Sequence, residues 1–98
     1  MALEIRWTKQ ADRKFDKILE YLLDEWGERV TKSFVNKAYD LLEVLAEFPE
    51  IGSIENREKG IRGFTLVKQI NIFYIVQGNI IIILDFFDNR QAPHKKRF

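Results

Sequence analysis

The chain has 98 residues, 46% apolar and 32% charged, with no cysteine and a formal charge of +1 at pH 7. This is enough for a single domain over 1–98 with a modest core, and it excludes a disulfide framework or a thiolate zinc site. The near-neutral balance argues against a strongly basic nucleic-acid binder, whose pI usually exceeds about 9.

Leu3, Ile5 and Trp7 alternate with Ala2, Glu4 and Arg6, the period of a short strand. The charges at Glu4 and Arg6 predict no signal peptide, and no apolar run approaches the roughly 18–20 residues of a membrane span. A cytoplasmic protein without a membrane partner is the expectation. Thr8 suits a helix N-cap, because its hydroxyl can accept an orphan backbone N–H. Ala11, Phe15, Ile18, Leu19, Leu22 and Trp26 then recur at helical spacing, and Gly27 is a plausible stop.

A second helix follows almost at once, with Val30, Phe34, Ala38, Leu41, Leu42 and Leu45 as its buried stripe and Pro49 as its end. So short a link predicts antiparallel neighbours. Glu28 and Lys32 stand at i,i+4 in the favourable order, contributing about 0.2–0.5 kcal/mol. Trp7 and Trp26 are expected at the edge of the core. Residues 50–60, with Gly52, Ser53, Asn56 and Gly60 among charges, read as a loop.

The segment 62–90 carries the sheet. Residues 62–67 form a leading strand. Residues 70–76 and 80–87 are apolar runs rich in Ile, Phe, Tyr and Val, separated by Gln77-Gly78-Asn79. Gly78-Asn79 fits a two-residue II′ hairpin, with Gly supplying the positive φ. That turn sets Val76 opposite Ile81, Ile75 opposite Ile82, Tyr74 opposite Ile83, Phe73 opposite Leu84 and Ile72 opposite Asp85. One face then holds Phe73, Ile75, Ile80, Ile82, Leu84 and Phe86, and is expected to meet the core. The other holds Ile70, Ile72, Tyr74, Ile81, Ile83, Asp85 and Phe87, and is expected to be exposed or covered by a partner. The predicted fold is α+β: an N-terminal strand and a helical hairpin packed on one face of a twisted, mainly antiparallel sheet, in the order β-α-α-β-β-β. One helical layer covers one sheet face, and the apolar residues left on the second predict a binding surface.

Several stretches in this order resemble the RelE/ParE superfamily of bacterial toxins. They are IRWTKQA before the first helix, Trp26-Gly27 between the helices, FPEIG after the second, GIRGF opening the leading strand, and INIFYIV with IIIILDFFDNRQAP closing the chain. The resemblance implies a toxin of a type II toxin–antitoxin pair, neutralised by a cognate antitoxin in a possible hetero-oligomer. No cofactor or metal is implied. ParE-like members inhibit DNA gyrase. RelE-like members cut mRNA on the ribosome without a metal. A third reading is an interaction module without catalysis.

RNA cleavage needs a base for the 2′-OH, donors for the phosphorane charge and an acid for the leaving oxygen. The resemblance offers Arg62, Lys68, Arg90 and His94 for these roles. The middle strand presents Asn71, Phe73 and Ile75 where such a nuclease would place an arginine, which favours the ParE-like side. Tyr74, Asp85, Phe87, Lys95, Lys96 and Arg97 are candidate contacts to the target or antitoxin. Simpler readings stand beside these: His94 a surface histidine, Arg90 an ion-pair partner of Asp85 or Asp88, and Tyr74 a packed ring with a bonded hydroxyl rather than a stacking platform. The antitoxin is expected over the helical hairpin and the apolar edge or far face of the sheet.

Overall fold

The computed structural model describes residues 2–67 and 69–89. Seven elements follow in order: β1 (Glu4–Trp7), α1 (Lys9–Trp26), α2 (Glu28–Glu47), β2 (Ser53–Asn56), β3 (Ile61–Val67), β4 (Ile70–Gln77) and β5 (Ile80–Asp88). The strands form one sheet in the order β1-β5-β4-β3-β2, with β1 parallel to β5 and the other pairs antiparallel. The fold class is the expected one, with one more strand. Within 50–60, Ser53–Asn56 forms a short edge strand rather than loop, irregular between Ile54 and Asn56. Such short, interrupted edges are common at sheet margins and carry loop-like composition.

Thr8 caps α1 as its side chain predicts: its Oγ1 accepts from the Ala11 N–H at 3.1 Å. The same oxygen lies 3.1 Å from the carbonyls of Ile83 and Leu84, so the cap also ties α1 to β5. Gly27 ends α1 at φ 89°, a conformation costly for any residue with a Cβ. Its N–H donates to Leu22 and Leu23, and its carbonyl accepts from Thr31. The hairpin puts Phe15 of α1 5.8 Å from Phe34 of α2. Trp26 and Val30, at the hairpin tip, do not join the core; Trp26 is 63% exposed. The helical period marks them as apolar-side residues, but the sheet does not extend beneath the tip.

The β4–β5 hairpin turns at Gly78 (φ 61°), and Val76, Ile75 and Tyr74 face Ile81, Ile82 and Ile83 as expected. Beyond Tyr74 the register shifts by one residue, so Phe73 faces Asp85 and Ile72 faces Phe86. The expected pairs Phe73–Leu84 and Ile72–Asp85 are therefore corrected. The cause is a β-bulge at Leu84, one extra residue that reverses the side of everything after it.

Between the Gly78 turn and the bulge the faces are the reverse of those expected, whereas beyond the bulge Phe86 meets the core and Asp85 and Phe87 lie on the other side, as expected. Ile70, Ile72, Tyr74, Ile81, Ile83 and Phe86 pack under the helices against Ala11, Phe15, Ile18, Phe34, Ala38, Leu42 and Leu45. Phe73, Ile75 and Ile82 lie on the outer face, joined after the bulge by Asp85 and Phe87. Both faces are apolar, so pattern alone could not choose between them. Tyr74 is the packed ring with a bonded hydroxyl: it is wholly buried, and its single polar atom is hydrogen-bonded. Phe86 crosses into the core through the bulge; truncating so buried a ring costs about 3–5 kcal/mol.

Candidate functional site

β1 is an edge strand; its Ile5 and Trp7, with Leu3 just before it, pack toward the helices but remain half-exposed. Trp7 is held by Phe15 at 5.1 Å, Phe86 at 5.0 Å and Tyr39 at 6.4 Å. Beside this cluster lies an open cavity of about 710 Å3, floored by Ile5, Trp7, Phe15, Leu19, Val35 and Tyr39 and rimmed by Arg6, Asp12 and Asp16. It continues past Tyr39 into a cavity of about 290 Å3 over Leu3, Leu42 and Ala46, and from Ala46 into one of about 440 Å3 beside Val44 and Phe48. The first and second share Ile5, Trp7 and Tyr39, the second and third share Glu43 and Ala46, and together they form one groove along β1 and α2. Its floor is apolar and its rim is acidic, with Asp40, Glu43 and Glu47 added on the α2 side. Tyr39, on the groove wall, is 52% exposed. Arg6 pairs with Glu4 at 2.6 Å at the surface; this hydrogen bond and its charge lower the Glu4 pKa and raise that of Arg6.

A second constellation closes the start of β2. The Tyr74 hydroxyl donates to the Pro49 carbonyl (2.8 Å) and accepts from the Gly52 N–H (2.9 Å). Arg62 shares this helix-facing side of the sheet, opposite Tyr74, and donates to the carbonyls of Gly52 (2.8 Å) and Glu50 (3.3 Å). Burial raises the Tyr74 pKa, offset in part by the Gly52 bond and the nearby Arg62 charge. Both side chains thus hold the 49–52 turn, and Tyr74 presents no ring face to a partner.

A third lies on the outer face. β1 ends at Trp7, opposite Ile83, and among the described residues no strand continues along the rest of β5 on that side. Lys14 of α1 meets β5 there: its Nζ is 3.1 Å from Asp85 Oδ1 and 5.9 Å from the centre of the Phe87 ring. The Asp85 side chain is 8% exposed and that of Lys14 36%. Phe87 also meets the fully buried Phe73 edge-on at 6.5 Å.

The candidate residues therefore fall into two separate groups, Arg62 with Tyr74 and Asp85 with Phe87. Lys68, Arg90, His94, Lys95, Lys96 and Arg97 lie outside the described residues. Sequence reasoning missed Lys14 and Tyr39; each stands off its helix's main apolar stripe, and only the sheet edge gives them a role. No group of acidic or histidine side chains among the described residues could hold a metal. No helix among them is long and apolar enough to cross a membrane.

The sequence profile described as "ParE toxin of type II toxin-antitoxin system, parDE" matches residues 5–93. The chain belongs to the ParE toxin family. No curated protein sequence matched. Among solved structures, this ParE-family chain is similar to the chromosomal ParDE system of Pseudomonas aeruginosa, with TM-score 0.74, 21% identity, and coverage of 89% of this chain and 96% of that one. It also resembles the RelBE2 toxin–antitoxin complex of Mycobacterium tuberculosis (TM-score 0.62, 18% identity, 90% and 99% coverage). The YoeB dimer of Staphylococcus aureus is a third neighbour (TM-score 0.61, 20% identity, 87% and 94% coverage). At these identities the likeness is one of fold, and the ParE-family profile adds the class: a toxin of a type II toxin–antitoxin system.

Proposed function

We propose that this toxin acts by binding DNA gyrase rather than by cutting RNA. The observation that carries this reading is the engagement of Arg62. Among the described residues it is the sole cation of the three long strands, and it is bonded to backbone carbonyls on the helix-facing side. The outer face offers the half-buried Ile75, Ile82 and Phe87 instead, with Lys14 paired to Asp85. An apolar surface with one compensated charge suits protein–protein contact. Among the described residues this surface carries no array of donors of the kind a developing phosphorane requires.

We further infer that the groove beside Trp7 and Tyr39 receives the antitoxin. The neighbours named ParDE and RelBE2 were solved as toxin–antitoxin systems or complexes, which supports a cognate antitoxin for this chain. An apolar floor between acidic rims fits an amphipathic segment with an apolar stripe flanked by Lys or Arg. Expression of the toxin without its antitoxin should arrest growth. Primer-extension mapping of transcripts from the arrested cells then separates the readings: intact transcripts agree with gyrase as target, and cuts at fixed positions within codons contradict it.

A further inference from the structure

α1 carries opposite charges on two flanks. Asp12 and Asp16 border the groove beside Trp7. Gln10, Arg13, Lys14 and Lys17 line a separate open depression of about 320 Å3, which shares no residue with the groove. Spacings of three and four residues place these side chains on one strip of the helix surface. Lys9 stands one turn before Arg13. The whole-chain charge of +1 conceals this separation.

Helix stability alone would not select this arrangement. Lys9 stands in the first turn, where the macrodipole disfavours cations, and the last turn contains no basic residue. Lys14 is fixed in place by Asp85 and Phe87. Arg13 and Lys17 flank it, exposed, and among the described residues neither forms an ion pair. Within this row Asp85 offsets Lys14 alone; the charges of Arg13 and Lys17 create a local positive field, and a polyanion is the complement to that field.

We propose that this flank of α1 binds the phosphate backbone of duplex DNA. From Lys9 to Lys17 the helix rises about 12 Å, a straight and stiff row suited to the regular phosphates of a duplex. The depression is lined by Gln10, Arg13, Lys14 and Lys17, with no aromatic ring. Single-strand binders rely on stacking platforms that this lining lacks. The surface lies clear of the groove, and the inference does not depend on gyrase being the target.

The test is fluorescence anisotropy of a short labelled duplex titrated with the purified chain, without gyrase, between about 50 and 200 mM salt. The unmodified chain should bind with a Kd of about 10⁻⁴ to 10⁻⁶ M, typical of backbone contacts. The pair Arg13→Glu with Lys17→Glu should weaken binding at least 10-fold. It should also reduce the slope of log affinity against log salt by about 1.8, for two phosphate contacts at about 0.9 each. The neutral pair Arg13→Gln with Lys17→Gln should give the same slope change with a smaller loss, and guards against misfolding of the charge-reversed chain. Arg29→Glu with Lys37→Glu changes net charge equally on exposed positions of α2 and should leave the slope unchanged. The proposal is overturned by absence of duplex binding, by equal loss in the α1 and α2 pairs, or by single-stranded RNA or polyglutamate binding as tightly through Arg13 and Lys17.

Discussion

The Tyr74 hydroxyl and the Gly52 backbone close on each other so tightly that a Cβ at Gly52 would lie 2.6 Å from that oxygen and 2.7 Å from the Gly63 carbonyl. The same hydroxyl also donates to Pro49, so one buried side-chain atom fixes both ends of the turn after α2. Tyr74→Phe removes a donor and an acceptor at once and should destabilise the fold by about 1–3 kcal/mol. For a chain of this size each 1 kcal/mol lowers Tm by roughly 4–8 °C. Gly52→Ala should be worse, since backbone stands in the way. Gly63→Ala should be milder, because the atoms nearest to a Cβ there belong to the Glu55 side chain rather than to backbone. Thermal unfolding of the three variants gives the order.

The same tyrosine sets a pH dependence. Its pKa is raised in the folded state, chiefly by burial. Below the ordinary tyrosine pKa of about 10 both folded and unfolded chains keep the proton, and the contribution of the bonded phenol is intact. Above that the unfolded chain loses its proton first, so stability falls as pH rises through the folded pKa. Urea unfolding should show the stability gap between the natural chain and Tyr74→Phe constant at neutral pH and shrinking above about pH 10. A gap that widens there would contradict this role.

Lys14 and Asp85 should behave asymmetrically. Asp85 is nearly buried and Lys14 is one-third exposed. Lys14→Ala strands a buried carboxylate and should cost about 1–3 kcal/mol. Asp85→Ala leaves an ammonium that can turn to water, and should cost less. A double-mutant cycle followed by urea unfolding measures the coupling, expected at roughly 0.5–2 kcal/mol for so partly solvated a pair.

The groove predicts where antitoxin binding is sensitive. Tyr39→Asp places a charge on the apolar wall beside Trp7 and should weaken capture of the cognate antitoxin at least 10-fold, about 1.4 kcal/mol or more. Trp26→Ser, at the exposed hairpin tip, should leave it unchanged. Calorimetric titration of the toxin with the product of the adjoining reading frame compares the two.

Much of this architecture is legible in the chain because its cues are local. Thr8 and Gly27 bracket α1, Pro49 closes α2, and Gly78 fixes the first pairs of the β4–β5 hairpin. The inverted sheet faces escape such reading, because Ile and Phe populate both sides and the bulge at Leu84 has no signature in residue type. The site was harder still. Arg62 is engaged by backbone carbonyls, which any sequence supplies, and Lys14 finds Asp85 71 positions away across an edge that exists only once β1 stops. Trp7 and Tyr39 become a groove only when β1 joins the sheet as its margin.

The central claim is that this chain disables gyrase by occupying it, without RNA cleavage. It is tested most directly by adding the purified toxin to gyrase and relaxed plasmid in the absence of ribosomes. Loss of supercoiling in proportion to toxin, restored by the cognate antitoxin, is the predicted result. Full supercoiling at saturating toxin, together with cleavage of mRNA when ribosomes are supplied, would contradict it.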